Sequence, residues 1–386
     1  MTSQQADVVI IGAGSSGLSA SYELAKAGVD VLVVERGFLA QEASGRNPGG
    51  IRQIGRDINE LPLMMAAMDR WHHLQEELDC SIELKEDGYL WVALSESDLD
   101  LHQELVERDA AYGIEESILG IEEIAELAPA ISDLVRGALY SPTDLIANPF
   151  LVANGYYDAA KREGARFLFG TEVVDLRVES GKIKAVVTDQ VEIATNTVIN
   201  AAGPWSDRIG RMAGVDVPIT PCPNQFILTE PMPPILPPFL LISGIAVCRQ
   251  AEEGNVFIGN TNAPGGITGY SKATDYEEMV RTVTNIFKIV PSFRGLNMIR
   301  TWVGTIAFSP DDNFMFGPVP NVEGLILACG FSGHGFALTP IIGQLLSELV
   351  VDGKTSLPTE AFHLSRFERG EVEKAKHFAH QHLEAH

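Results

Sequence analysis

Cysteine is scarce: Cys80, Cys222, Cys248 and Cys329 are the only four in 386 residues, and no two of them form a C-x-x-C pair. That scatter indicates neither a disulfide framework nor a cysteine-ligated metal or iron–sulfur centre, and a reducing compartment is the simpler setting. Basic residues are few as well, 28 Lys and Arg against 52 Asp and Glu, for a formal net charge of −24. Such a balance argues against nucleic acid or an anionic membrane surface as a partner, and an anionic ligand would need locally placed cations. Long apolar runs are missing too: the best candidate, residues 325–351, is broken by glycines, His334, Pro340 and Gln344, and reads as strand, loop and buried helix. No basic region followed by an apolar stretch opens the chain, so no secretory signal is expected and the expected location is cytoplasmic. Internal repeats and low-complexity tracts are absent.

What the chain does have is concentrated in residues 6–36, ADVVIIGAGSSGLSASYELAKAGVDVLVVER. Val8 to Ile11 reads as a buried parallel strand running into Gly12, Gly14 and Gly17, after which Leu18, Tyr22, Leu24 and Ala25 take up helical spacing. Gly12 permits a tight turn, Gly14 lets backbone approach a pyrophosphate, and Gly17 lets helix pack on strand. The helix N-terminus presents unpaired N–H groups to phosphate. A second strand, Val31 to Val34, ends in Glu35, placed to accept from a ribose 2′-OH. An acid there disfavours a 2′-phosphate, so the ligand is FAD or NAD rather than NADP.

Residues 42–53 (EASGRNPGGIRQ) are too rich in glycine for helix or strand and read as a loop that brings backbone and two arginines close to something. Asp57 to Leu78 is an amphipathic helix whose Met64, Met65, Met68 and Trp71 read as core. Tyr89 to Leu94 is a strand, Ser97 to Tyr112 a charged, exposed helix, and Pro149 to Gly164 another helix. Short strands follow through Phe167, Val173, Leu176, Ile183 and Val186, and then a buried strand from Thr197 to Ala202. From Val217 to Phe308 proline clusters and β-type runs (226–228, 245–248, 256–258) surround one helix, Tyr276 to Val290, as expected of a second, sheet-based domain. The last segment returns to α/β character: strand 324–329, glycine-rich turn 330–335, and a helix from about Thr339 to Val351.

Four stretches together resemble the D-amino-acid oxidase family of FAD-dependent oxidoreductases: the first glycine turn with Glu35, then SGRNPGGIR (44–52), NAAGPWSD (200–207), and WVGTIAFSPDDNFMFGP with GFSGHGFALTP (302–340). They fall in the family's order and span essentially the whole chain. The segment GRNPGGIRQIGRDINELPL further resembles the flavoprotein subunits of opine dehydrogenases and hydrogen cyanide synthases, which work in hetero-oligomers. The resemblance implies an α/β fold with an FAD-binding, Rossmann-like domain of the glutathione-reductase type, made of residues 1–85, 145–215 and 320–386. A second, mostly antiparallel β-sheet domain, residues 86–144 and 216–319, would bind substrate. FAD would lie extended, non-covalently held, on Gly12, Gly14, Ser16, Gly17, Glu35 and Arg36, with Val173, Ala202, Gly203 and Trp205 along its length. Its ring system would sit between Ser44, Arg46, Asn47, Gly49, Gly50 and Gly304 on one side and Gly330, Ser332, Gly333, His334, Gly335 and Phe336 on the other.

The implied chemistry is hydride removal from a carbon bearing an amine, in an amino acid or N-substituted amino acid such as an opine, an imino acid or glycine. Arg52 is the expected carboxylate partner, its alternative being a pairing with FAD phosphate or a structural acid; Arg46 is read as a cofactor contact. The family's second carboxylate-binding arginine, two residues after the glycine of Trp-x-Gly, is replaced by Ile306, and Arg300 could substitute only if its strand turned it the same way. No cysteine stands near Gly304 or Thr305 for a flavin thioether, and Cys329 reads as core. His334 is either a hydrogen-bonding or basic group beside the ring or a residue that fixes the loop. Asp311 and Asp312 read as turn chemistry. The tail histidines His377, His380, His382 and His386 read as solvated surface, with no metal site. Electrons would pass to oxygen or through a partner subunit carrying iron–sulfur or a second flavin, and such a partner could hold the chain peripherally at the inner membrane. The rival readings are a stand-alone sarcosine or D-amino-acid oxidase, and a non-catalytic subunit that keeps FAD for relay or assembly.

Overall fold

The computed structural model describes residues 3–236, 238–242, 245–260, 268–368 and 370, so the four tail histidines lie outside the described residues. Val8–Ile11 is apolar at every position and buried on both faces, as a central parallel strand must be. It sits inside a six-stranded sheet in the order Met315–Pro318, Leu325–Cys329, Thr197–Asn200, Val8–Ile11, Val31–Val34, Arg166–Leu168. All neighbours are parallel except the first pair. The C-terminal contribution to this sheet therefore begins at Met315, ahead of the boundary at residue 320 read from the sequence.

Helices Ser15–Lys26 and Gly335–Val351 cover one face and cross closely, because Gly343 has no Cβ; one added there would lie 2.0 Å from Ser19 Oγ. Leu61–Leu78 packs alongside with Leu63, Met64, Met68 and Trp71 inward, and only Met65 of the expected core set turns out to solvent. The other face of the sheet carries Val9, Ile11, Leu32 and Val34 against the four-stranded sheet of Ser3–Gln5, Glu192–Ala194, Lys182–Thr188 and Val173–Glu179.

The second sheet has eight strands in the order Met298–Phe308, Thr220–Pro231, Asn255–Asn260, Ala246–Gln250, Phe239–Ile242, Tyr89–Ala93, Gly137–Ser141, Ser117–Leu119. Its pairs are antiparallel except Phe239–Ile242 with Tyr89–Ala93. One face buries Leu90, Leu240, Cys248 and Ile258 together with Ile286 and Ile289 of helix Tyr276–Ile289. The opposite face is left for the site. An α/β nucleotide-type sheet with a mostly antiparallel partner sheet is the class the sequence indicates.

Several local readings need correction. Residues 42–53 are not all loop: Ala43–Arg46 is one helical turn and Gly50–Ile51 a short strand paired with Leu145–Ile146, both set by tertiary contacts that glycine content does not reveal. The charged helix, Glu96–Ala110, is not simply exposed, since His102 and Asp109 are buried, with His102 against the Trp91 ring at 4.6 Å. The last helix starts at Gly335, four residues before the sequence expectation, with Pro340 tolerated inside it.

Candidate functional site

A cavity of about 430 Å³ runs from the first glycine turn to the free face of the eight-stranded sheet. At its first end Gly12 has φ +108° and a Cβ there would lie 2.5 Å from the Ala201 carbonyl oxygen. Gly17 is tighter still: its Cβ would fall 2.0 Å from the Gly12 carbonyl oxygen, so helix and strand can meet only without it. Gly17 stands behind the wall, whereas Gly12, Gly14 and Ser16 line the cavity. The turn around Gly14 accommodates the Ser44 side chain, whose Oγ accepts the Ser15 N–H at 2.8 Å and would lie 2.9 Å from a Cβ on Gly14. Apart from Ser44, no side chain among the described residues caps this helix start, so its remaining first-turn N–H groups are open to an anion. These features fit the pyrophosphate of a dinucleotide.

Glu35 lines the cavity, and its carboxylate accepts the Ala13 N–H at 3.0 Å and the Gly37 N–H at 2.7 Å, bracing the turn. The Arg36 guanidinium lies 3.7 Å over the Trp205 ring; both line the cavity beside Val173, Ala202 and Gly203.

The 42–50 segment is held by its own polar side chains. Arg46 donates from Nε to the Gln41 carbonyl oxygen and from Nη1 to that of Val303, while its own carbonyl accepts from Trp302 Nε1. Arg46 thus ties this segment to strand Met298–Phe308 while lining the cavity, and Gly304 makes room for it, a Cβ there lying 3.2 Å from Arg46 Cβ. Asn47 donates to the carbonyls of Ala43 and Ser44 and accepts from Gly49 N–H, closing the helical turn. Gly49 is not at the wall: with φ +86° it packs on the Ala147 carbonyl, 2.0 Å from where its Cβ would be. Gly50 is at the wall, and a Cβ on it would meet the Tyr89 hydroxyl at 1.5 Å.

In the second glycine turn Gly330, Ser332 and Gly333 all have positive φ. The N–H groups of Ser332 and His334 are bonded within the protein, to Ala307 and Phe331 carbonyls, and Ser332 Oγ accepts from Ser309 N–H. Donors facing the cavity are therefore to be sought at Gly333 and at the helix start, Gly335 and Phe336, which no side chain caps. Trp71, bonded to the Ala337 carbonyl at 2.7 Å, lies against the Phe336 ring and holds that start in place.

Arg52 and His334, far apart in sequence, both line the cavity. Arg52 Nη1 donates to the Ile54 and Gly55 carbonyls. Burial and the neighbouring Arg56 guanidinium push its pKa down to about 10, so it stays charged at neutral pH. His334 Nδ1 is 3.6 Å from Glu60 Oε2, which is 3.4 Å from Arg56 Nη1. Arg56 also donates to the Arg52 and His334 carbonyls. Arg56 and Glu60 are 2% and 1% exposed, so this is an interior network rather than a surface pair. Burial pushes the His334 pKa down, with Arg52 and Arg56 adding to it against Glu60, so the ring is neutral at pH 7. Burial alone would raise Glu60, but its contact with His334 first, and then the Arg56 and Arg52 guanidinium groups, hold it below the usual carboxylate range.

Sequence reading does not single out Arg56 and Glu60: they look like the charged approach to an amphipathic helix. It also misses Tyr89 and Phe239, whose rings stack at 4.3 Å on the sheet's free face, where Leu241, Val247, Phe226 and Ile306 continue the wall. Ile306, standing where the family's arginine is expected, is therefore part of an apolar surface. Asp311 does shape a turn, accepting from Asn313 N–H, and also pairs with Arg366, while Cys329 is buried core.

Behind Arg52, Asp144 accepts from the backbone and side chain of Gln53 and holds that segment. Near it both carboxyl oxygens of Glu116 are buried without a hydrogen-bond partner among the described residues. Burial, with Asp109 and Asp144 adding, pushes Glu116 up to about 8. A carboxyl raised from its unfolded value of 4.5 contributes most stability below that pH, and the contribution is lost as pH rises through about 8. Glu116→Gln is therefore expected to raise Tm at pH 8 by more than at pH 5; thermal unfolding at the two pH values checks this, and equal shifts would contradict it.

Among known proteins, the family model described as FAD dependent oxidoreductase matches residues 7–349. The hydrogen cyanide synthase subunit HcnC of Pseudomonas aeruginosa is 28% identical, over 94% of this chain and 96% of its own. Sarcosine oxidase subunit beta of Rhodobacter capsulatus is 26% identical, over 95% of this chain and 89% of its own. Among solved structures, L-proline dehydrogenase from P. horikoshii superposes with a TM-score of 0.91 and 31% identity, covering 96% of this chain and 100% of that one.

Proposed function

We propose that this chain, which belongs to the FAD-dependent oxidoreductase (DAO) family, oxidises the C–N bond of an amino acid or N-substituted amino acid to the imine. The observation that carries this is the meeting of Arg52 and a neutral His334 in one cavity with the uncapped helix start of the second glycine turn. FAD, when bound, supplies the hydride acceptor, and the residues lining the first part of the cavity would hold it. Arg52 offers a fork suited to a carboxylate. His334 takes a proton from the substrate ammonium, leaving the nitrogen lone pair free to assist hydride loss. Glu60, through the Nδ1 side of the ring, steadies the imidazolium that results. On this reading residues 86–144 and 216–314 form the substrate-binding part. FAD is non-covalently bound, since the Cys329 thiol is buried and pushed up to about 12, and Cys222, which pairs across to Ile306, is buried and outside the cavity lining.

The relatives matched along nearly their whole length include two that are named as subunits, which supports a flavoprotein subunit of a hetero-oligomer. With four scattered cysteines the chain offers no iron–sulfur ligand set of its own, so onward transfer would need a partner's carrier.

Turnover with an artificial electron-accepting dye tests the reading. Dye reduction with release of a carbonyl product is expected from sarcosine, L-proline, glycine or an opine; reduction by a 2-hydroxy acid or a glycerol phosphate, and by no amine, would overturn it. Glu60→Gln removes a charge that favours the imidazolium, so kcat is expected to fall about 10- to 100-fold and its acid limb to move to lower pH. Glu60→Asp should recover part of the rate. A pH profile of kcat checks this, and an unmoved limb would restrict Glu60 to a structural part.

A further inference from the structure

The segment after the last long helix folds back beneath the second glycine turn. Its two short helical turns, Glu360–Phe362 and Leu364–Arg366, lie beyond the residues 7–349 matched by the family model. Phe362 is fully buried and stacks on Phe314 at 4.1 Å, and Phe314 stacks on Phe331 at 4.9 Å. Phe331 belongs to the second glycine turn and lines the cavity, so three near-parallel rings join this segment to the cavity wall. Gly317 leaves room for the chain to cross: a Cβ there would lie 2.9 Å from His363 Cδ2.

Arg366 runs a second connection beside the rings. It is 5% exposed, and all three of its guanidinium nitrogens donate within the protein. Nε and Nη2 form a fork on the Asp311 carboxylate at 2.7 and 3.0 Å, Nη2 also donates to the Asn313 carbonyl, and Nη1 donates to the Phe362 carbonyl at 2.8 Å. Asp311 Oδ1 accepts from Ser309 Oγ at 3.1 Å, and the Ser309 N–H donates to Ser332 Oγ at 3.2 Å. Ser332 Oγ in turn donates to the Gly330 carbonyl at 3.3 Å. Ser332 has φ +49°, a left-handed conformation that a side chain disfavours, and a residue stays there only where its surroundings over-determine it. The planar Ser332–Gly333 peptide carries the Gly333 N–H, so the backbone angles of Ser332 decide where that donor points.

We infer that Arg366 is a positioning residue for the flavin: by way of Asp311 and Ser309 it holds Ser332 in its left-handed conformation, which aims the Gly333 N–H and the uncapped start of helix Gly335–Val351 at the ring system. Those donors favour the negative charge that reduction places on the flavin, so the held turn raises the reduction potential. A buried, forked ion pair fixes both partners in orientation as well as in distance, which a single hydrogen bond would not do. The stack of Phe362, Phe314 and Phe331 supports the same turn from below.

This rests on the FAD-dependent reading above, and the test separates the two. The two-electron midpoint potential of the bound flavin is measured against reference dyes, beside Tm, for the wild-type chain, Arg366→Met, Arg366→Lys, Ser332→Gly, and Arg366→Met combined with Ser332→Gly. Arg366→Met is expected to weaken the binding of reduced relative to oxidised flavin about 10-fold, a fall of about 30 mV in potential. Arg366→Lys keeps a charge on Asp311 without the fork and should recover part of it. Glycine takes positive φ unaided but gives Ser309 nothing to hold, so Ser332→Gly should lower the potential by itself, and Arg366→Met should add nothing further to it. Ser309→Ala cuts the connection nearer the turn and leaves the ion pair whole, so it should lower the potential even if Arg366→Met does not fold. A lowered Tm at unchanged potential in Arg366→Met or Ser309→Ala, or falls that simply add in the combined variant, would overturn the inference and leave FAD binding intact. A wild-type chain that takes up no FAD would overturn both.

Discussion

Gly17→Ala is expected to give a folded chain that purifies without yellow colour. The added Cβ would lie 2.0 Å from the Gly12 carbonyl oxygen, against backbone that cannot swing aside. The Gly12 N–H is bonded to the Val34 carbonyl at 2.9 Å, and Ile10 Cγ2 stands 3.3 Å from the same Cβ. Relief therefore comes from moving the start of helix Ser15–Lys26 away from the strand, which withdraws the first-turn N–H groups from the pyrophosphate. Overpacking of this kind costs about 1–3 kcal/mol in stability, a loss a sheet core of this size tolerates. Cofactor retention suffers more, because the phosphate donors act only at hydrogen-bond range, and FAD affinity is expected to fall at least 100-fold. Gly295→Ala is the control: nothing lies within 4 Å of the added atom, and the colour should be unchanged. The visible flavin band per mole of protein, read beside Tm, decides it. A yellow Gly17→Ala chain would contradict the placement of the pyrophosphate.

Arg52→Met is expected to raise KM far more than it lowers kcat. Truncating one partner of a buried charge-assisted pair costs about 2–4 kcal/mol, which is about 30- to 1000-fold in substrate affinity. Arg52→Lys keeps the charge but loses the fork and the bonds to the Ile54 and Gly55 carbonyls, so it should fall between wild type and Arg52→Met. Methylamines lacking a carboxylate supply the complementary readout, since they have nothing for Arg52 to hold and should be poor substrates equally for wild type and variant. A KM for an amino acid that Arg52→Met leaves unchanged would mean that this arginine only braces its own loop.

The nucleotide half of the fold is legible because its signals are local. An apolar strand, three glycines with steric reasons and an acid at the end of the next strand all fall within residues 6–36, and each finds its place in the six-stranded sheet. The substrate half is much less so. Phe239–Ile242 pairs in parallel with Tyr89–Ala93 across a long interval of chain, and no periodicity in either segment announces the other. The Tyr89–Phe239 stack, and with it the wall of the cavity, comes only from that pairing. Charged residues mislead in a similar way: Arg56 and Glu60 look like surface, and become interior because neighbouring elements close over them. His334 is visible in its glycine-rich turn, but its partner Glu60 is not. Arg46, expected to touch the cofactor, has its hydrogen bonds inside the protein, which only the approach of strand Met298–Phe308 makes possible.

The most direct test of the central claim is an anaerobic visible spectrum of the purified chain, titrated in turn with sarcosine, L-proline, glycine and an N-(carboxyalkyl) amino acid. Loss of the oxidised-flavin band with at least one of these amines, at stoichiometric flavin and without any partner, is the predicted result. A yellow chain that no amine bleaches, but that a 2-hydroxy acid does, would contradict it.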